Sequence, residues 1–169
     1  MSTMYVNNIA PLEGNTINVA SGSTLYAPGS VLQVLQGTGG GTGISNSTTN
    51  YSDINLSVTI TPNSVNSKIL VTCSFTGYSY TEPGQDAQAI FRIMRGSSTQ
   101  LIETRCGDHN GNGNRSDDIS PINMTYLDSP ATTSPTTYKV QYKVNGAGRE
   151  AIAYTGSTIG TIVVMEIAG

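Results

Sequence analysis

Tryptophan is absent from the chain, phenylalanine occurs twice and histidine once, and only 11% of the 169 residues are charged. Globular domains usually carry about 25% charged side chains, so this surface must be built mainly from hydroxyl and amide groups. Such a surface suits dense subunit packing and sugar recognition better than it suits a cytosolic metabolic enzyme. Eight Lys and Arg are outnumbered by eleven Asp and Glu, for a formal net charge of −3, which excludes the basic footprint of a nucleic-acid binder. No run approaches the roughly 18 consecutive apolar residues that cross a bilayer as a helix, so no membrane insertion is expected. The opening MSTMYVNNIAPLEGN lacks the basic n-region and apolar h-region of a secretory signal. Two cysteines, Cys73 and Cys106, are too few for a disulfide framework. Cys73 alternates with Ile69, Val71 and Phe75 and reads as a small core residue. Apolar spacing at three and four is missing over any stretch of about ten residues, so no amphipathic helix is expected.

What is present is a period of two. In residues 137–144, Tyr138, Val140, Tyr142 and Val144 alternate with Lys139, Gln141 and Lys143, the pattern of a strand with one dry and one wet face. Asn145-Gly146 follows and predicts a tight hairpin turn into another strand over 150–154. Ile54, Leu56, Val58 and Ile60 alternate with Asn55, Ser57 and Thr59. Residues 68–80 place Ile69, Val71, Cys73 and Phe75 on one side, with Thr72, Ser74, Thr76, Tyr78 and Tyr80 on the other. Ala89, Phe91 and Ile93 mark a further strand, and segments at 101–106, 119–127 and the carboxy terminus bring the number to about eight. Many short strands separated by turn signals predict an all-β fold, an antiparallel β-sandwich. Residues 31–36 and 160–169 are apolar on both faces. A lone two-layer sandwich has few places for doubly buried strands, whereas a subunit interface supplies them, so these segments predict an oligomer.

Three regions follow from the same reading. Residues 1–36 carry only scattered apolar positions (Ile9, Leu12, Ile17, Val19, Leu25) and read as an extended attachment or stalk segment that must borrow a partner surface. Residues 37–50 begin Gly37-Thr38-Gly39-Gly40-Gly41-Thr42-Gly43 and read as a flexible linker or hairpin loop. A phosphate loop is excluded there, since neither a Gly-Lys-Ser/Thr ending nor a helix follows. Residues 51–169 form the sandwich, which the strand at 31–36 is expected to join.

The segment 108–118 is the one place where chemistry-bearing residues cluster. Asp108, Asn110 and Asn112 occupy alternate positions, with Gly113 directly after and Asn114 next in the alternation. That matches the start of a D-x-[DN]-x-[DN]-G calcium loop, whose glycine lets oxygen ligands converge on a hard cation. The twelfth position is Ile119 instead of Glu and flanking helices are missing. The expectation is therefore a polar loop using Asn and Gly for positive φ, with calcium as the alternative. His109 would need a serine and an oriented carboxylate to make a triad, and one His with two distant Cys lacks zinc-ligand spacing. The acids needed for glycosidase chemistry are scattered over strand ends and loops, so neither catalysis nor a cofactor is expected. Tyr78 and Tyr80, with Tyr126, could stack on sugars, or be buried on a second sheet face or at a subunit interface. Asp108, His109, Asn110, Asn112, Asn114, Tyr78 and Tyr80 are thus the candidate contacts to a receptor or glycan.

Three phrases, LSVTITPNSVNSKILVTCSF, YLDSPATTSPTTYKVQY and TIVVMEIAG, resemble, in family order, C-terminal domains of tailed-bacteriophage virion proteins. Such domains are common in cyanophages and other aquatic phages and are usually described as tail-fibre-like. The resemblance covers residues 31–169, and Ile17-Asn18-Val19-Ala20-Ser21-Gly22-Ser23 is similar to stalk or attachment segments of phage fibre proteins. It implies a jelly-roll-like topology, a homotrimer, and a place on the virion as a tail fibre or host-adhesion protein. It also implies attachment to other virion proteins through the amino-terminal segment and contact with a host glycan or receptor. A capsid decoration or baseplate protein is the alternative within that class; a small hydrolase or metal-dependent lectin is the alternative outside it.

Overall fold

A computed structural model describes residues 27–81, 86–108 and 119–169. These form ten strands and no helix: β1 (Val31–Gly40), β2 (Ile44–Asn46), β3 (Ser52–Ile60), β4 (Lys68–Thr81), β5 (Ala87–Arg95), β6 (Thr99–Asp108), β7 (Ser120–Asp128), β8 (Thr136–Val144), β9 (Arg149–Ala153) and β10 (Ile159–Ile167). The first sheet contains β7, β4, β9, β10, β2 and β1; the second has the order β3-β8-β5-β6. β7 lies along one edge of β4 from Ile69 to Gly77. The other edge of β4 is shared by β10, paired with residues 68–74, and β9, paired with residues 77–81. β1 and β2 then pair with β10 and β9 respectively. Ten strands therefore fill eight positions, four in each sheet.

The pairing is nested. β5 pairs with β6, β4 with β7, β3 with β8 and β1 with β10, all antiparallel. One long hairpin of chain has been folded so that successive rungs alternate between the two sheets. This is the double Greek key of a jelly roll, so the fold expected from the sequence is the fold observed.

Alternation supplies the core. β8 buries Tyr138, Val140, Tyr142 and Val144, as its period of two predicts, while β3 buries Ile54, Leu56, Val58 and Ile60. From the first sheet come Ile69, Val71, Cys73, Phe75, Ile162 and Val164. Phe75 meets Phe91 of the other sheet edge-on, with centroids 5.1 Å apart, a geometry that adds about 0.5–1.5 kcal/mol beyond area burial. Cys73 is buried as expected, and burial pushes its thiol up to about 12. It makes no disulfide with Cys106.

Two local expectations are corrected. Residues 37–50 are not a linker: β1 runs on through Gly40, Gly37 to Gly40 pair with residues 159–162, and β2 pairs with β9. The glycines are there for close approach. A side chain at Gly37 would run into the carbonyl of Ser57, and a Cβ at Gly39 would stand 2.5 Å from the Tyr154 hydroxyl and 2.6 Å from Asn55 O. Asn145-Gly146 does not close a hairpin either, because β8 and β9 lie in different sheets. Asn145 instead caps the β8–β5 ladder, donating its N–H to Gln88 O at 3.1 Å while its side-chain Oδ1 accepts from Gln88 N at 3.0 Å. The positive φ of this corner falls on Gly148, at 74°.

The doubly apolar carboxy-terminal strand, β10, is central in the first sheet. Its inward residues Ile162 and Val164 are fully buried, whereas Thr161, Val163, Met165 and Ile167 on the outer face are only half-buried.

Candidate functional site

The nested topology sorts the connections into two ends. The base gathers residues 27–30, 61–67, 96–98, 129–135 and 168–169; Gly29 N–H donates to Ala168 O at 2.7 Å and Ala168 N–H to Ser30 O at 2.9 Å. The far end gathers the last residues of β4, β6 and β8 and the first of β3, β5, β7 and β9, and there Val144 N–H reaches Thr48 O at 3.2 Å. Asp108 is the last residue of β6 and pairs with Ala87 at this far end. His109, Asn110, Asn112 and Asn114 lie outside the described residues. Among the described residues no group of three or more His, Cys, Asp or Glu side chains could hold a metal ion.

Tyr78 and Tyr80 sit near the same end of the molecule but on a different surface. They alternate with Gly77 and Ser79 on β4, where Ser79 is buried and its hydroxyl donates to Ala87 O at 3.1 Å. Tyr78 and Tyr80 therefore stand on the outer face of the first sheet, half-buried, registered against Ile152 and Glu150 of β9. Tyr126, 37% exposed, lies on β7 opposite Val71.

The outer face of the second sheet carries a cluster of charged side chains, and sequence reasoning missed its centre. Tyr51 lies beneath two cations, with the Arg92 guanidinium 3.4 Å and Lys143 Nζ 4.5 Å from its ring centroid. Its hydroxyl donates to Glu103 Oε2 at 2.6 Å. Burial and the Glu103 carboxylate push the Tyr51 phenol up to about 12, while that hydrogen bond holds the Glu103 carboxyl below its ordinary value. Arg105 pairs with the same carboxylate at 3.2 Å, Arg92 grips Gln141 Oε1 at 2.7 and 3.1 Å, and Lys139 pairs with Asp53 at 3.0 Å. Tyr51 precedes its strand outside any period-two register, so no sequence signal announced this cluster.

Two further acids hold the base together. Asp128, at the end of β7, accepts from Arg95 Nη1 at 2.9 and 3.0 Å and from the Tyr138 hydroxyl at 2.7 Å, bridging both sheets. Burial and then the Asp128 carboxylate raise the Tyr138 phenol far above its ordinary value. Glu166 is fully buried and accepts from Gln33 Nε2 at 2.6 Å, Asn63 N at 2.7 Å and Asn63 Nδ2 at 2.8 Å. Burial alone would push its carboxyl up, but the converging donors hold it below the ordinary value. The Ser67 hydroxyl, buried beside it, also favours the charged carboxylate. Asp53, Glu103, Asp128 and Glu166 are thus each engaged in a pair or network within the sandwich. The two clefts along the β3 edge are lined by few charged groups: Thr38, Gly39, Gly40, Asn55 and Ile159 in one, Asp53, Asn55, Leu56, Ser57, Thr137 and Lys139 in the other.

No family model matches the sequence, and no curated protein matches it either. Solved structures do. The VP2 protein of infectious bursal disease virus, in derived T=1 particles of a D431N mutant, matches 91% of this chain at 14% identity with a TM-score of 0.42. The structure of the Gt strain of the same virus matches at 13% identity and 0.39, and a VP2 subviral particle at 15% and 0.38, each again over 91% of this chain. The chain spans about two fifths of the length of those proteins, 40% to 42%. The assignment to the jelly roll rests on the strand pairing described above, independently of these likenesses.

Proposed function

We propose that this chain is a non-enzymatic structural protein of a virus particle, a homotrimeric tail-fibre or fibre-associated adhesion protein. The observation that carries the reading is the polarity of the sandwich. The described chain enters the fold at Ala27 in the base, close to Ala168, while Asp108 ends β6 at the far end. An entry point for residues 1–26 at one end, and Asp108 leading into residues 109–118 at the other, suit a protein anchored in a particle and directed outward. The resemblance of residues 31–169 to tail-fibre-like domains gives that orientation its biological setting. Jelly rolls also house lectins and cupins, so the fold alone would not select a virion role. Against a hydrolase stands the use of Asp53, Glu103, Asp128 and Glu166, which are spent on a lysine, arginines, tyrosines and amides of the scaffold.

In this reading residues 1–36 attach to other virion proteins, and the far-end loops, with Asp108, His109, Asn110, Asn112 and Asn114, meet a host glycan or receptor. Three copies side by side let individually shallow sites act at high effective concentration. Electron microscopy of intact virions bearing an antibody label on this chain tests it. Label at the tail is the expected result; label spread over the capsid lattice with none at the tail would overturn the fibre assignment in favour of a decoration protein.

A further inference from the structure

The two outer faces of the sandwich differ in kind. Residues directly opposite in an antiparallel ladder share a face, so the pairing maps the outer face of the first sheet row by row. One row crosses all four strand positions as Val34–Met165–Leu70–Leu127, and the next as Gln36–Val163–Thr72–Thr125. A third reads Thr38–Thr161–Ser74–Asn123, and further toward the far end Tyr78 stands beside Ile152. No charged side chain interrupts these rows; Lys68 bounds them at the base and Glu150 at the far end. Val34 is 53% and Leu127 48% exposed. An apolar row running unbroken across a whole sheet is unusual for a solvated face, where alternation normally places polar groups.

We infer that the outer face of the first sheet is the surface on which copies of this chain meet, with a second copy as its occupant. The inference rests on self-assembly alone and not on the trimer: a face packed on its own duplicate is a two-fold contact, so a dimeric mass keeps the face and replaces the trimer of the proposed function. Charge favours a copy. Packed against its own kind, the first sheet brings no like charges together, whereas the second sheet would set Arg92, Arg105, Lys139 and Lys143 against their duplicates. The area also suffices. Four strand positions at about 4.8 Å and about ten residues at about 3.3 Å give a face of roughly 600 Å². Two such faces removed from water reach about 1,200 Å², the threshold of specific interfaces. Sheets packed face to face in this way interdigitate side chains about 10 Å apart, which would complete the burial of Val163, Met165 and Leu70.

Sedimentation of the full chain tests the inference, with Met165→Lys and Leu70→Lys as probes and Ser57→Glu, on the opposite face beside Lys139, as control. The wild type and Ser57→Glu should sediment as the same oligomer. The two lysine variants should fall to monomer mass, at least about tenfold weaker in association, with an unchanged β spectrum and a cooperative melt. If either lysine unfolds the protein, Val34→Ser and Leu127→Ser serve, since both side chains are already about half exposed. Variants that keep the oligomeric mass would overturn the face while leaving self-assembly standing. A monomeric wild type would overturn both. A monomer whose Met165 resists peroxide would assign the cover to residues 1–26 and likewise overturn the inference.

Discussion

Glu166 is the residue whose environment makes the sharpest demand. A carboxylate in full burial survives ionised only because the Asn63 amide, the Asn63 side chain and Gln33 all donate to it. Glu166→Gln keeps the shape but turns an N–H toward those donors. Urea denaturation should therefore show a loss of about 1–3 kcal/mol. The pH dependence has a definite sign. Because the folded carboxyl titrates below its ordinary value of 4.5, Glu166 stabilises the fold above that value. The contribution disappears as pH falls through the lower folded pKa. Urea midpoints measured down from neutral pH should drop below about pH 4.5, and Glu166→Gln should flatten that drop. Asp128 is the second such residue. Asp128→Asn weakens the hold on Arg95 and on the Tyr138 hydroxyl at once. Since Arg95 is 28% exposed and can turn to water, the cost should stay near about 1–3 kcal/mol. Cys73, raised to about 12 and buried, should react with a thiol reagent only on unfolding, which a stopped reaction with and without urea would read.

Among the elements, β1 shows how a glycine run can be a strand. Gly37→Ala and Gly39→Ala should each cost about 1–3 kcal/mol as overpacked positions, read as a lower melting temperature, because the new methyl groups meet Ser57 O and the Tyr154 hydroxyl. From sequence alone the same glycines read as a linker, since the reason for them lies on β3 and near Tyr154, far away along the chain. β3, β4 and β8 were legible because their partners need nothing beyond alternation; Tyr138, Val140, Tyr142 and Val144 announce a buried face wherever the strand is placed. Asn145-Gly146 misled for the converse reason. The pair signals a change of direction, and only the tertiary fold decides whether the chain returns to the same sheet or crosses to the other. Alternation sets Tyr78 and Tyr80 on the face opposite Cys73 and Phe75, where they stand, but it cannot say that this face belongs to the outside of the first sheet. Tyr51, joined to Arg92, Lys143 and Glu103 across three strands, left no local trace at all.

For the molecule as a whole, the two outer faces differ: Arg92, Glu103, Arg105, Lys139 and Lys143 stand on the second sheet, while the rows from Val34 to Asn123 on the first carry no charged side chain. The calcium alternative at Asp108 is settled by a melting curve: EDTA should leave the midpoint unchanged, since a cation that bound only the folded state would have to raise it. The nested pairing has a consequence in time. Among the described strands only β5 and β6, joined at Arg95 and Thr99, are neighbours both in sequence and in the sheet; Val31 must wait for Ile167. Folds dominated by such distant partners gather slowly, in milliseconds to seconds. A ribosome releasing this chain must therefore deliver β10 before β1 can leave solvent. Chains ending before residue 159 should show no cooperative melt, and full-length protein should refold with its slowest phase in the closure of the first sheet.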